Sequence, residues 1–162
     1  MKADVAKEHL WLQRLVGDWS FEADCIMGPD QQPAKTTGSQ TVRMLGGLWM
    51  IGEGEGDCPD GTKAKSIITL GYDPQKQRFI GTFIASMMTH LWPYEGTLEG
   101  NVLTLDSEGP SFSGDGAIVK YQDIVEFVDD DHWILRSRIP GEDGKWVEFM
   151  TAHYRRVGQK AA

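Results

Sequence analysis

The stretch Glu8-His9-Leu10-Trp11-Leu12-Gln13-Arg14-Leu15-Val16-Gly17-Asp18-Trp19 changes its period at a glycine. Ahead of Gly17, Val5, His9, Leu12 and Val16 recur at the spacing of one helical face. Beyond it, Trp19, Phe21, Ala23 and Cys25 alternate with Ser20, Glu22 and Asp24, which is the period of a strand. The spacing predicts a helix over about residues 4–16, ended by Gly17, that runs straight into a G-x-W strand.

The rest of the chain carries turn signals at short intervals. Strands are predicted over 19–26, 37–45, 48–56, 65–72, 78–87, 90–98, 102–106, 118–128, 133–139 and 146–156. Gly28-Pro29-Asp30, Gly46-Gly47, Asp73-Pro74-Gln75-Lys76, Glu99-Gly100-Asn101 and Asp129-Asp130-Asp131 are turns between them, and 109–116 is a loop. About ten short strands with short connections favour antiparallel neighbours, and closing the sheet removes its edges. The expected fold is all-β: a single antiparallel up-and-down β-barrel with the N-terminal helix plugging one end. A sandwich is the competing architecture. No linker or low-complexity segment divides the chain, so residues 1–162 read as one domain.

A net charge of -8 repels phosphate backbones and anionic bilayers, so neither nucleic acid nor membrane is an expected partner. The N-terminus lacks the apolar core of a signal peptide. Cys25 and Cys58 are far apart in sequence and form no C-x-x-C pair, so reduced thiols and a cytoplasmic location are expected.

Four motifs together carry a family resemblance: the His9–Trp19 opening, Gly46-Gly47-Leu48-Trp49, Leu70-Gly71-Tyr72-Asp73-Pro74, and the closing Tyr154-Arg155-Arg156. Over nearly its whole length the chain resembles a bacterial family of unknown function, domain-of-unknown-function family 1579. That family is grouped by fold with the lipocalins, avidins and fatty-acid-binding proteins. The resemblance implies a calycin-like barrel and assigns no activity, so it transfers no catalytic residue. It implies that Trp19 packs inside the closed end of the barrel, under the helix.

Ser86-Met87-Met88-Thr89-His90-Leu91-Trp92-Pro93-Tyr94 is the segment richest in pocket-like side chains. In a regular strand Met88, His90, Trp92 and Tyr94 share one face. Adaptable Met with polar-tipped aromatics suits an apolar pocket with a few anchors, and it equally suits a filled core. Trp49 and Tyr121 are added as lining residues. Arg43, Arg136 and His153 are candidates for a polar anchor; in fatty-acid-binding relatives inward arginines and a tyrosine grip a carboxylate. Against that, Arg43 and Arg136 on the outer face would pair with Glu53, Glu55, Glu126 or Glu148. Gly52-Glu53-Gly54-Glu55-Gly56 reads as a strand with one glycine face, approached closely by another element.

The expected function is therefore binding of a small, mostly apolar molecule. One alternative is an isomerase or hydrolase using an interior pair such as His90 or His153 with Glu53. Another is packed-barrel self-association through an edge or through Trp11 and Trp146, giving a homo-oligomer. No metal site is expected from the histidine spacing, and no cofactor is called for. Haem needs only one axial histidine. The resemblance to nitrobindin-like barrels would give that role to His153, although Ser20-Phe21-Glu22-Ala23-Asp24 replaces their glycine-rich opening motif.

Overall fold

A computed structural model describes residues 1–26, 32–58 and 60–158. One helix, α1 (Lys7–Gln13), precedes ten strands: β1 (Gly17–Cys25), β2 (Ala34–Leu45), β3 (Trp49–Asp57), β4 (Lys63–Asp73), β5 (Arg78–Ala85), β6 (Trp92–Glu99), β7 (Val102–Pro110), β8 (Ile118–Asp129), β9 (His132–Pro140) and β10 (Trp146–Arg156). Each strand pairs antiparallel with its neighbours in sequence, and β1 pairs with β10 to close the barrel. The expected Gly28-Pro29-Asp30 turn lies outside the described residues.

The helix is shorter than its apolar spacing suggests. From Arg14 to Val16 the backbone bonds run to the third residue back, Leu15 N–H to Leu12 O and Val16 N–H to Gln13 O, and this tighter turn aims Leu15 at the barrel. The buried residues are therefore His9, Trp11, Leu12 and Leu15, while Val5 and Val16 are exposed. Trp11 meets Phe79 and Phe127 edge-on with ring centroids 6.2 and 5.3 Å apart, so it belongs to the plug and is not available as a surface for self-association. His9 is structural at both nitrogens. Nδ1 accepts from Ala6 N–H at 2.8 Å, which leaves the proton on Nε2 to donate to Tyr72 O at 3.2 Å.

Trp19 is 1% exposed, and its indole N–H donates to Leu15 O at 2.8 Å, tying strand to helix end. Arg156 lies opposite Trp19 in the β1–β10 register, with its guanidinium 4.2 Å from the indole ring. It donates to Val16 O at 2.7 Å, Arg14 O at 3.3 Å and Asp130 O at 2.8 Å, and bridges Asp131 at 3.2 Å. Gly17 is required here. Its φ is +134°, and a Cβ would lie 2.4 Å from Arg156 Nη1.

Alternation on β3 sends Gly52, Gly54 and Gly56 inward with buried Met50, and Glu53 and Glu55 outward to Arg43 (3.8 Å) and Lys63 (3.2 Å). Strand β7 continues four residues beyond its expected end at Asp106. Gly109-Pro110, expected to open the 109–116 loop, pairs with β8 instead. The β6–β7 ladder stops at Glu95–Asp106, and past it the Trp92 ring occupies the place of a Gly109 side chain, whose Cβ would lie 2.1 Å from the ring.

Arg156→Ala removes several charge-assisted hydrogen bonds and the ring contact at the barrel seam, and is expected to lower stability by about 3 kcal/mol. Arg156→Lys should recover little of this, because an ammonium cannot fork between the helix end and the β8–β9 turn. Denaturant unfolding measures both; an unchanged midpoint for the alanine variant contradicts the seam argument.

Candidate functional site

The barrel encloses a cavity of about 420 Å³, reaching from Leu15 beneath the plug to Cys25, Cys58 and Met87 at the far end. Its wall is mostly apolar, with Phe21, Val42, Met50, Leu70 and Val125 among the lining side chains. The space exists because small residues occur in register. Gly54 and Gly56 supply no side chain from β3, and Ala23 faces Ala152 across β1 and β10. Strand β3 lies five places around the ten-strand ring from β8. The glycine stripe is thus on the wall facing β8.

The polar part of the interior is centred on Asp123 of β8. Its Oδ1 accepts from Ser137 Oγ at 2.5 Å, and its Oδ2 accepts from the Tyr94 hydroxyl. Ser137 is its register partner on β9, and Tyr94 reaches over from β6. What accessible surface Asp123 retains opens on the cavity. Tyr154 of β10 faces the same space. Its ring lies flat on Trp133, centroids 3.8 Å apart and planes 7° apart, with Phe21 on the next strand at 5.1 Å. The stacking fixes the ring, and among the described residues the hydroxyl has no hydrogen-bond partner, so it is available to a guest. Gln40 lines the cavity from β2, its amide against Gly52.

Burial raises the Asp123 carboxyl above the ordinary value of 3.8, against the pull of its two hydroxyl donors. Burial, and then the neighbouring Asp123 charge, push the Tyr94 and Tyr154 phenols up, so both stay protonated donors.

The residues expected to line a pocket are dispersed. Tyr94 lines the cavity. Trp92, His90 and Tyr121 instead form an aromatic group at the open end, with centroids 4.8 Å (His90–Trp92) and 4.9 Å (Trp92–Tyr121) apart, continued by Phe112 and Phe149. His90 Nε2 is 2.9 Å from Glu108 O, and the Tyr121 hydroxyl donates to Pro110 O. Met88 is 38% exposed in the β5–β6 connection, because β6 begins only at Trp92 and no strand alternation applies to it. Trp49 lies on the outer wall against Gly71, whose Cβ would be 2.6 Å from its ring.

The three anchor candidates also face outward. Arg43 bridges Glu53, and Arg136 bridges Glu126 at 3.3 Å and Glu148 at 3.6 Å, as the outer-face alternative has it. His153 alternates with inward Ala152 and Tyr154, and its Nδ1 is 2.9 Å from His132 Nε2. A haem held inside by His153 does not fit this geometry. Among the described residues no histidine lines the cavity, so the interior histidine–carboxylate pair of the enzymatic alternative is not assembled either. Nor, among those residues, is there a cluster of three metal-ligating side chains.

Sequence reasoning does not mark Asp123, Ser137, Tyr154 or Gln40 as lining residues. A signal for Asp123 is present all the same: Tyr121, Asp123, Val125 and Phe127 share one face of β8, and it is the one acid among apolar residues.

Among the described residues, the titratable groups on the cavity wall besides Asp123 are Tyr94 and Tyr154 inside and the two cysteines, Glu55, Asp57 and Lys65 toward the rim. The folded chain holds the Asp123 proton more tightly than the unfolded chain does. Its contribution to stability is therefore full below 3.8 and falls as pH rises through the raised folded value. Asp123→Asn cannot titrate. The melting temperature of the parent minus that of the variant should fall as pH rises above about 4; a difference that is flat or rises contradicts the burial of this acid.

The family model described as a protein of unknown function (DUF1579) matches residues 4–156. Among solved structures, Rv2717c from M. tuberculosis is 14% identical with a TM-score of 0.64, covering 97% of this chain and 100% of its own. The S-type phycobiliprotein lyase CPES from Guillardia theta is 15% identical with a TM-score of 0.62, covering 94% of each chain. A de novo designed fluorescence-activating β-barrel is 13% identical with a TM-score of 0.50, covering 90% of this chain and 95% of its own. At such identities these likenesses speak for the fold alone. No curated protein matches the chain in sequence. The match over nearly the whole length identifies the chain as a member of the DUF1579 family.

Proposed function

We propose that this protein binds a small, mostly apolar molecule inside its barrel, with the polar end of the ligand at Asp123 and Tyr154. The observation that carries this reading is the cavity itself: about 420 Å³ of apolar-walled space with one polar cluster on its wall. That volume is within the range of small-molecule sites, and a few polar groups set in an apolar wall are what orient a ligand. The occurrence of the fold in a phycobiliprotein lyase and in a fluorescence-activating design fits this reading without naming a ligand. The proposed setting is the one the sequence suggests: a cytoplasmic protein whose acidic surface disfavours nucleic acid and anionic membranes. No helix among the described residues is long and apolar enough to cross a membrane.

Ala152 is 2% exposed, lines the cavity and lies between Ala23 and Leu135 in the sheet. Ala152→Leu fills space that is already empty, so it is expected to leave stability unchanged or raised while weakening guest binding at least about tenfold. The enhancement of N-phenyl-1-naphthylamine fluorescence, an uncharged apolar probe, measures the binding. Equal enhancement by parent and variant shows that the probe sits elsewhere and removes the cavity from the proposal.

A further inference from the structure

We infer that the cavity selects a cationic guest: an apolar body carrying one amine, whose ammonium group sits against the Asp123 carboxylate. This rests on the reading of the barrel as a binding protein and adds the charge of what it binds.

The first argument is charge balance. Among the described residues no Lys, Arg or His lies within ion-pair distance of Asp123; every bridge of Arg14, Arg43, Arg136 and Arg156 goes to another acid. Among the described residues Lys65 is the one cation on the cavity wall, and it is exposed at the rim. A carboxylate taken out of water without a counter-charge is costly, and the two donors it has are neutral hydroxyls. An ammonium in the cavity supplies the missing charge.

The second argument is valence. A carboxylate offers about four acceptor positions. Ser137 takes one on Oδ1 and Tyr94 one on Oδ2, so each oxygen keeps one position for a further donor. An ammonium is donor-only and can use both. Tyr154, whose hydroxyl is uncommitted, adds an acceptor beside the acid, and the rings of Phe21 and Trp133 add aromatic surface that attracts a cation.

The third argument is the sign of the surroundings. Arg43 and Arg136 pair outside the barrel, so neither supplies an interior cation to grip a fatty carboxylate. Glu55 and Asp57 stand at the rim, with Lys63 bridging both at 3.2 and 3.7 Å, and the chain carries -8 overall. That field draws in cations and repels anions.

Displacement of N-phenyl-1-naphthylamine by n-octylamine, n-octanol and n-octanoate at neutral pH tests the inference, since the three share one chain and differ in the head. The expected result is displacement by octylamine at least about tenfold below octanol, with octanoate weakest. Asp123→Asn should abolish the advantage of the amine over the alcohol, read as the ratio of the two displacement midpoints within that variant. Octanol or octanoate matching octylamine on the parent protein overturns the charge selection and leaves the binding cavity standing. An amine advantage that survives in Asp123→Asn overturns the assignment to this acid. Failure of the probe and all three compounds to bind overturns the binding reading as well. The parent comparison needs no variant, so it decides the charge selection even if Asp123→Asn does not fold.

Discussion

Arg156 over Trp19 is the interaction on which the rest of the barrel depends. The first strand has no partner other than β2 until the last strand returns to it, and Trp19 and Arg156 face each other at that seam. The guanidinium joins three parts of the chain that are distant in sequence: the end of α1 through Arg14 O and Val16 O, the β8–β9 turn through Asp130 O, and the indole of β1. Trp19 in turn holds Leu15 O, which keeps Leu15 turned into the barrel. A ten-strand ring with both ends open would be a channel. With one end held shut by Trp11, Leu12 and Leu15 it becomes a cup, and only a cup can separate a bound molecule from water.

Closure at one end makes the emptiness at the other meaningful. A barrel of this size can be filled by its own side chains. This one is filled at the plugged end and, by Trp92, Tyr121, Phe112 and Phe149, across part of the open end. Between them the Gly54–Gly56 stripe and the Ala23–Ala152 pair remove the material that would close the gap. Other sites also depart from ideal packing. Among the described residues, Trp92 Nε1 and Ser107 Oγ lie buried without partners where β6 parts from β7, and the indole N–H groups of Trp11 and Trp133 are likewise unmatched. Each such group costs about 1–3 kcal/mol, which the continuous ladder and the aromatic core offset.

The elements are legible in the sequence because local signals and tertiary demands agree. Period-two alternation, the proline-preset turn at Asp73-Pro74 and the period change at Gly17 locate strands that the ring then pairs. The helix is legible in position but not in phase, because its last turn tightens and exchanges Val16 for Leu15 on the inner face. The site is less legible. Alternation shows which residues share a face but does not say which face is inside. Arg43 and Arg136 therefore admit an interior anchor beside the exterior ion pair that the rarity of buried charge favours, until the position of Glu53, Glu126 and Glu148 settles them outside. Met88 and His90 mislead for a different reason: their segment is a connection, where alternation has no meaning. Asp123 escapes notice because an acid in a chain of this charge reads as surface unless its apolar neighbours on the same face are weighed with it.

A void left by poor packing and a site differ in their polar atoms. A packing void is lined by apolar atoms, stays dry and gains nothing from a buried acid. In this barrel the acid belongs to a register layer that runs Cys25, Met150, Ser137, Asp123 and Leu105 across five strands, with a hydroxyl donor on each of its oxygens. Replacing it with an apolar residue would remove a desolvation cost and leave two hydroxyls that could turn to each other or to water. Its presence is hard to account for by stability. The guest proposed above, which brings a donor, would account for it, and the strand opposite, carrying glycine after glycine, is where such a guest would find room.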